Sequence, residues 1–147
     1  MTDIMPMKME IRPFQPSDGL AVIELWKDCN LVVPWNDPHR DIRRKLRVQP
    51  ALFLVGFVSG QLVATVMAGY EGHRGWLNYL AVAPQFRRQG LGRRMVAEAE
   101  SRLREMGCPK INVQIRASNA EVIEFYRRIG FKPDEVVSMG KRLETDE

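Results

Sequence analysis

The clearest chemical signal in the chain lies in one short run, Arg87, Arg88, Gln89, Gly90, Leu91, Gly92 and Arg93. Two glycines one residue apart let backbone come close to a ligand, and arginines on both sides supply positive charge. The apolar residues that follow recur at helical spacing, which puts Gly92 in a helix's first turn. There N–H groups lack acceptors and the positive end of the dipole faces outward. Such a site binds anions. A nucleoside-triphosphate P-loop is excluded because G-x-x-x-x-G-K-S/T is missing. The dinucleotide pattern G-x-G-x-x-G fails at Met95, where its third glycine belongs. An ordinary strand-to-helix turn with a solvated basic face would use the same residues, so the flanking elements must decide.

Those elements follow from periodicity and punctuation. Lys8 to Phe14 reads as a strand, and Ser17 or Asp18 then caps a helix through Val22, Trp26 and Cys29 that ends near Asn30. Asn36 or Asp37 before Pro38 starts a second short helix through Ile42 and Leu46. Leu52 to Val58 and Leu62 to Tyr70 form a hairpin about Ser59 and Gly60, and Trp76 to Val82 adds a third strand after the Gly72 to Gly75 loop. Leu91, Met95, Ala99, Leu103 and Met106 predict a long amphipathic helix stopped by Gly107. Lys110 to Ile115 is the next strand, Ser118 or Asn119 caps a last helix ending at Gly130, and Phe131 with Val136 to Leu143 closes the sheet. The order implies a mixed α/β (α+β) fold: a mostly antiparallel twisted sheet with helices on both faces.

Bulk composition narrows the classes. The chain has 147 residues, 45% hydrophobic and 27% charged, which suits a single domain over residues 8–147 behind a loose segment 1–7. Cys29 and Cys108 lie far apart with no histidine or thiol at ligand spacing, so both read as buried small hydrophobes and no metal site is expected. No basic start before an apolar stretch and no run near 20 apolar residues appear, so a cytoplasmic, membrane-free protein is expected. The net charge of +4 is modest. Its arginines cluster at one turn without interleaved aromatics, which argues against nucleic acid.

The string LAVAPQFRRQGLGRRMV resembles the core motif of the GNAT superfamily of N-acetyltransferases, whose Q/R-x-x-G-x-G/A signature is met by Arg87, Gly90 and Gly92. A second family motif, N-x-x-A-x-x-F-Y-x-x-x-G-F, is met by Asn119, Phe125, Tyr126, Gly130 and Phe131, with Val122 in place of the alanine. The segments PWNDP, DIRRK and GYEGHRG further resemble small bacterial acetyltransferases of the YpeA type.

The resemblance implies acetyl-CoA as cosubstrate and no metal. Backbone N–H groups from Arg88 through Gln89, Gly90, Leu91 and Gly92 to Arg93 would hold its pyrophosphate. Leu80, Ala81 and Val82 would pair with the pantetheine arm in a splayed gap beside the fourth strand, with Asn119 counted among the cofactor-binding residues. A backbone N–H near Leu80 or Ala81 would stabilise the oxyanion. Tyr126 would protonate the departing thiolate, although a packing tyrosine suits its position too. Glu71 and His73 are candidates for the base, and also read as a surface partner of Arg74 and a backbone-bonded loop histidine. Trp35 and Asn36 would wall the acceptor pocket, with capping accounting for Asn36 equally well. The expected activity is direct N-acetyl transfer to a primary amine on a small molecule or peptide; an acyl-CoA sensor without turnover is the alternative. Acceptor identity, acyl chain length and a homodimer stay open.

Overall fold

The computed structural model describes residues 7–146. The expected loose segment therefore lies, apart from Met7, outside the described residues. One five-stranded sheet has the order β1 (Glu10–Pro13), β2 (Phe53–Val58), β3 (Gln61–Tyr70), β4 (Gly75–Val82) and β5 (Ile111–Val113). Neighbours are antiparallel except β4 and β5, which run parallel. Parallel neighbours need a long crossover, and here the connection contains α3 (Leu91–Glu105). The remaining helices are α1 (Gly19–Asp28), α2 (Pro38–Lys45) and α4 (Ala120–Arg128).

Alternation along the strands assigns the layers. Thr65 of β3 accepts a hydrogen bond from Trp26 of α1, whereas Gly56, paired with Ala64, sits so close to Met95 of α3 that a Cβ would lie 3.1 Å from its sulfur. Neighbouring residues point to opposite faces, so α1 and α3 cover opposite sides of the sheet. Leu91, Met95, Ala99 and Leu103 form the buried stripe of α3, and Trp26, Phe53, Leu54 and Val55 fill the sheet's interior. Truncating any large member of this core costs about 2–5 kcal/mol, because the surrounding packing relaxes only partly.

Capping follows the sequence closely at α2 and α4. The Asp37 carboxylate accepts from the His39 and Arg40 N–H groups with Pro38 next to it, and Asn119 Oδ1 accepts from the Val122 N–H. Asp18 differs: its carboxylate turns back to the Gln15 N–H and pairs with Arg12 at 2.7 Å, which lowers its pKa through the Arg12 hydrogen bond. Met106 lies beyond the helical stripe and is exposed, and both cysteines are half-buried rather than buried.

The expected closing strand is absent. Residues 131–146 form no strand, and Val136, Val137, Met139 and Leu143 are 75%, 87%, 90% and 93% exposed. Polar side chains hold this segment instead: Lys110 and Asn112 donate to Asp134, Gln114 to Ser138, and Arg142 to Asn36. Asp146 then accepts from Arg44 and from the Asp37 N–H, with the Arg44 hydrogen bond holding its pKa well below the carboxylate range. Apolar β-branched residues predicted a strand, yet these ties carry the chain off the sheet and across to α2.

Candidate active site

The site begins with an irregularity in β4. Thr65 pairs with Ala81 and Met67 with Asn78, so Tyr79 and Leu80 together face the single residue Val66. This is a β-bulge, a device that re-aims backbone. Tyr79 takes a left-handed conformation with φ +51°, which costs a residue with a Cβ roughly 1–2 kcal/mol. Three contacts hold it. Its ring stacks on Trp26 with centroids 3.8 Å apart, its hydroxyl donates to Asp41, and its carbonyl accepts from the Thr65 hydroxyl at 2.8 Å. Burial, with the Asp41 hydrogen bond second, raises the Tyr79 phenol above its ordinary pKa.

Beyond the bulge the outer edge of β4 has no strand beside it among the described residues. β5 pairs only with Gly75, Trp76 and Leu77 and then ends, leaving residues 78–82 unmatched on that side. The Ala83 N–H donates to the Val63 carbonyl, so by alternation the Val82 backbone groups point outward. The Val82 carbonyl is met there by Arg87 Nε at 3.1 Å and Cys29 Sγ at 3.4 Å. The splayed gap expected beside the fourth strand is this edge.

The edge leads directly into the arginine and glycine turn. After a 3-10 turn (Pro84–Phe86), Arg88 and Gly90 take φ +64° and +77°, and α3 starts at Leu91. Only a residue without a Cβ enters that conformation freely, which accounts for Gly90. The Arg94 N–H is the first to reach back, to the Gly90 carbonyl, so among the described residues the N–H groups of Leu91, Gly92 and Arg93 have no intrahelical acceptor and no capping side chain. Arg87, Arg88, Gln89 and Arg93 are exposed around them. A Cβ at Gly92 would stand 3.4 Å from Phe125 and 3.6 Å from Val82, so the end of β4, the first turn of α3 and α4 converge here.

Tyr126 follows Phe125 on α4 and is 6% exposed, between the edges of Phe125 and Phe131, each 5.1 Å away by centroid. Among the described residues its hydroxyl has no hydrogen-bond partner, and burial pushes its pKa up to about 12. The ring thus packs, while the phenol stays protonated and unengaged. Asn119 uses its side-chain oxygen as the α4 cap.

The remaining candidates lie elsewhere. Glu71 and His73 occupy the loop before β4, at the opposite end of that strand from the turn. The Glu71 carboxylate accepts from the backbone N–H groups of Arg74 and His73, which lower its pKa. Trp35 and Asn36 sit between α1 and α2, and each meets a residue distant in sequence: the Arg116 guanidinium lies 5.3 Å over the Trp35 ring, and Arg142 donates to Asn36 at 2.7 Å. Sequence reasoning missed Thr65, Asp41, Tyr79, Arg116 and Arg142. Thr65 reads as a β-branched strand residue and Tyr79 as a strand aromatic, because the bulge that gives them a role is a tertiary feature.

A mixed sheet with one strand edge left unpaired among the described residues, opening onto a helix N-terminus between arginines, defines the α/β class of this protein. The acetyltransferase (GNAT) family model matches residues 20–131, and the chain belongs to that family and is an N-acetyltransferase. It is 47% identical over 139 residues to Acetyltransferase YE1169 of Yersinia enterocolitica, covering 95% of this chain and 99% of the relative. It is 45% identical over the same length to an uncharacterized N-acetyltransferase of Yersinia pestis, with the same coverage. Among solved structures, Ard1 from Thermoplasma volcanium matches with TM-score 0.73 and 25% identity over 84% of this chain and 82% of its own. AAC(6')-Iy in complex with the bisubstrate analog CoA-S-monomethyl-acetylneamine shares the fold, with TM-score 0.75 and 18% identity over 92% of this chain and 99% of its own.

Proposed function

We propose that the chain moves the acetyl group of acetyl-CoA directly onto a primary amine. The observation that carries this reading is the continuity of the unpaired β4 edge with the uncapped first turn of α3. The N–H groups of Leu91, Gly92 and Arg93 offer donors for the pyrophosphate, and Arg87, Arg88 and Arg93 neutralise it. The Leu80 carbonyl and the Val82 N–H, whose companion groups on the same residues are taken by the oxyanion role and by Arg87, suit the amides of the pantetheine arm, much as a neighbouring strand would.

In the reaction the amine nitrogen attacks the thioester carbonyl, a C–N bond forms, the C–S bond breaks, and the acceptor amine loses a proton. The Leu80 N–H holds the transient oxyanion. Tyr126 donates a hydrogen bond to the leaving sulfur and retains most of its proton until that bond breaks. Full transfer from a phenol near 12 to a thiolate near 8.5 would be uphill by about 5 kcal/mol, so the role is stabilisation with late proton transfer.

The need for a base depends on the acceptor. An α-amine near pKa 7.8 loses its proton at pH 7 for about 1 kcal/mol, against about 4.6 kcal/mol for a lysine-type amine. Glu71, with its lowered pKa, and His73 remain our proposals for this step, acting through water, and Trp35 and Asn36 for the acceptor wall. Amino acids, polyamines, aminoglycosides and peptide N-termini form the acceptor panel. Calorimetry with acetyl-CoA and free-thiol release across that panel test the reading. Binding with no thiol release for any amine would instead make the chain an acyl-CoA sensor.

A further inference from the structure

We propose that Thr65 is a positioning residue that aims and polarises the Leu80 N–H, the oxyanion donor of the reaction proposed above, on which this inference rests. Thr65 is wholly buried in the middle of β3, and valine would fill its volume. Asp18, also buried and polar, is accounted for by its pairing with Arg12. The Thr65 hydroxyl accepts from Trp26 Nε1 at 2.9 Å and lies 2.8 Å from the Tyr79 carbonyl. An indole nitrogen only donates, and a carbonyl only accepts, so the direction of the relay is forced from Trp26 to Thr65 to Tyr79.

The Tyr79 carbonyl and the Leu80 N–H belong to one planar trans peptide unit and point in opposite directions. Thr65, a residue of β3, grips the carbonyl, so the N–H at the other end of the peptide is turned away from β3. On the Ala81 side of the bulge, alternation counted back from the Ala83 N–H bond to Val63 agrees: Ala81 faces β3, while Val82 and Leu80 face outward. A hydrogen bond accepted at one end of a peptide unit strengthens donation at the other, by an estimated 10–30%. Trp26 and Asp41 complete the arrangement by holding Tyr79 in its left-handed conformation through its ring and hydroxyl. Strain of this kind persists only where the surroundings over-determine it.

The test compares Thr65→Val, which keeps the shape and deletes the hydroxyl, with Thr65→Ser, which restores it. Free-thiol release with whichever amine of the panel the wild-type chain acetylates gives kcat, and calorimetry gives the acetyl-CoA Kd. Thr65→Val should lower kcat by about tenfold to hundredfold, less than the 10² to 10³ lost when a donor is removed outright, with Kd within about twofold. Thr65→Ser should recover kcat to within a few-fold of wild type. A Thr65→Val chain that keeps wild-type kcat overturns the proposal, as does a serine variant no better than valine. Equal losses in kcat and Kd would mark Thr65 as structural and overturn it too. Should Thr65→Val not fold, the Leu80 amide resonance of the wild-type chain decides: acetyl-CoA must shift it beyond what free coenzyme A does, and equal shifts overturn the proposal. A wild-type chain that neither binds acetyl-CoA nor releases thiol removes the underlying reading instead, a failure these variants cannot mimic.

Discussion

The two ends of β4 are opposites. At its start, Gly75, Trp76 and Leu77 have strands on both sides, and the preceding loop closes on itself through the Glu71 carboxylate. From the bulge at Tyr79 onward the strand has a neighbour on one side only, and the turn that follows leaves three helix N–H groups without acceptors. The same strand is thus self-sufficient at one end and incomplete at the other. Buried backbone polar groups are almost always paired, so the incomplete end is where the proposed ligand would complete the structure.

The largest effect that would sharpen this contrast is at Tyr126, where phenylalanine keeps the packed ring and removes the unengaged hydroxyl. Tyr126→Phe should cut kcat by roughly 10² to 10⁴ with acetyl-CoA affinity nearly unchanged and the melting temperature barely moved. Steady-state thiol release with calorimetry measures both. A variant with wild-type kcat would return Tyr126 to packing alone.

Next comes Gly92→Glu, which sets a carboxylate among the free N–H groups. Each charge-assisted bond is worth about 1.5–3 kcal/mol, so acetyl-CoA affinity should fall by about a hundredfold or more. Gly92→Ala is the control, since a Cβ there meets Phe125 at 3.4 Å, an ordinary contact, and binding should stay within a few-fold. Unchanged calorimetric affinity in a folded glutamate variant would move the phosphate site off this turn.

The closed end should respond less. If Glu71 takes the acceptor's proton, Glu71→Gln lowers turnover by about tenfold with an α-amine, which sheds its proton with little help, and abolishes the acidic limb of the kcat/KM profile. A profile that keeps that limb would leave Glu71 as the cap of its loop.

The smallest effect concerns Lys45, whose ammonium donates to the Ala68 carbonyl beside that same end. Burial lowers its pKa to about 8 from an ordinary 10.5, so the folded chain binds fewer protons than the unfolded one between those values. Stability from this group therefore rises with pH: the desolvation cost is full below pH 8 and gone above 10.5. Thermal melts of wild type and Lys45→Met from pH 7 to 10 should show this rise in wild type alone. Parallel curves would mean the amine is solvated.

Much of the fold was legible because its signals are local. Asp37 with Pro38, Asn119, and the stripe Leu91, Met95, Ala99 and Leu103 each act within a turn or two of themselves, so spacing alone reveals them. The turn before α3 was legible for the same reason: Gly90 and Gly92 between arginines state their own geometry. Val136 to Leu143 misled because β-propensity records what suits a pleated surface, not whether one is at hand. Asp134, Ser138, Arg142 and Asp146 find their partners on β5 and the residues flanking it, on α2 and in the Asn36–Asp37 loop, and those bonds draw the segment off the sheet.

By itself, then, the sequence determined most of the elements, the Asp37 and Asn119 caps and the family, all of which are properties of neighbouring residues. Only the tertiary structure decided where β5 stops pairing with β4, that Tyr79 turns left-handed, and that Thr65, Trp26 and Asp41 hold it there. Those features rest on contacts between residues up to 53 positions apart, such as Tyr79 with Trp26, and no local pattern encodes which of many buried polar or aromatic residues will meet.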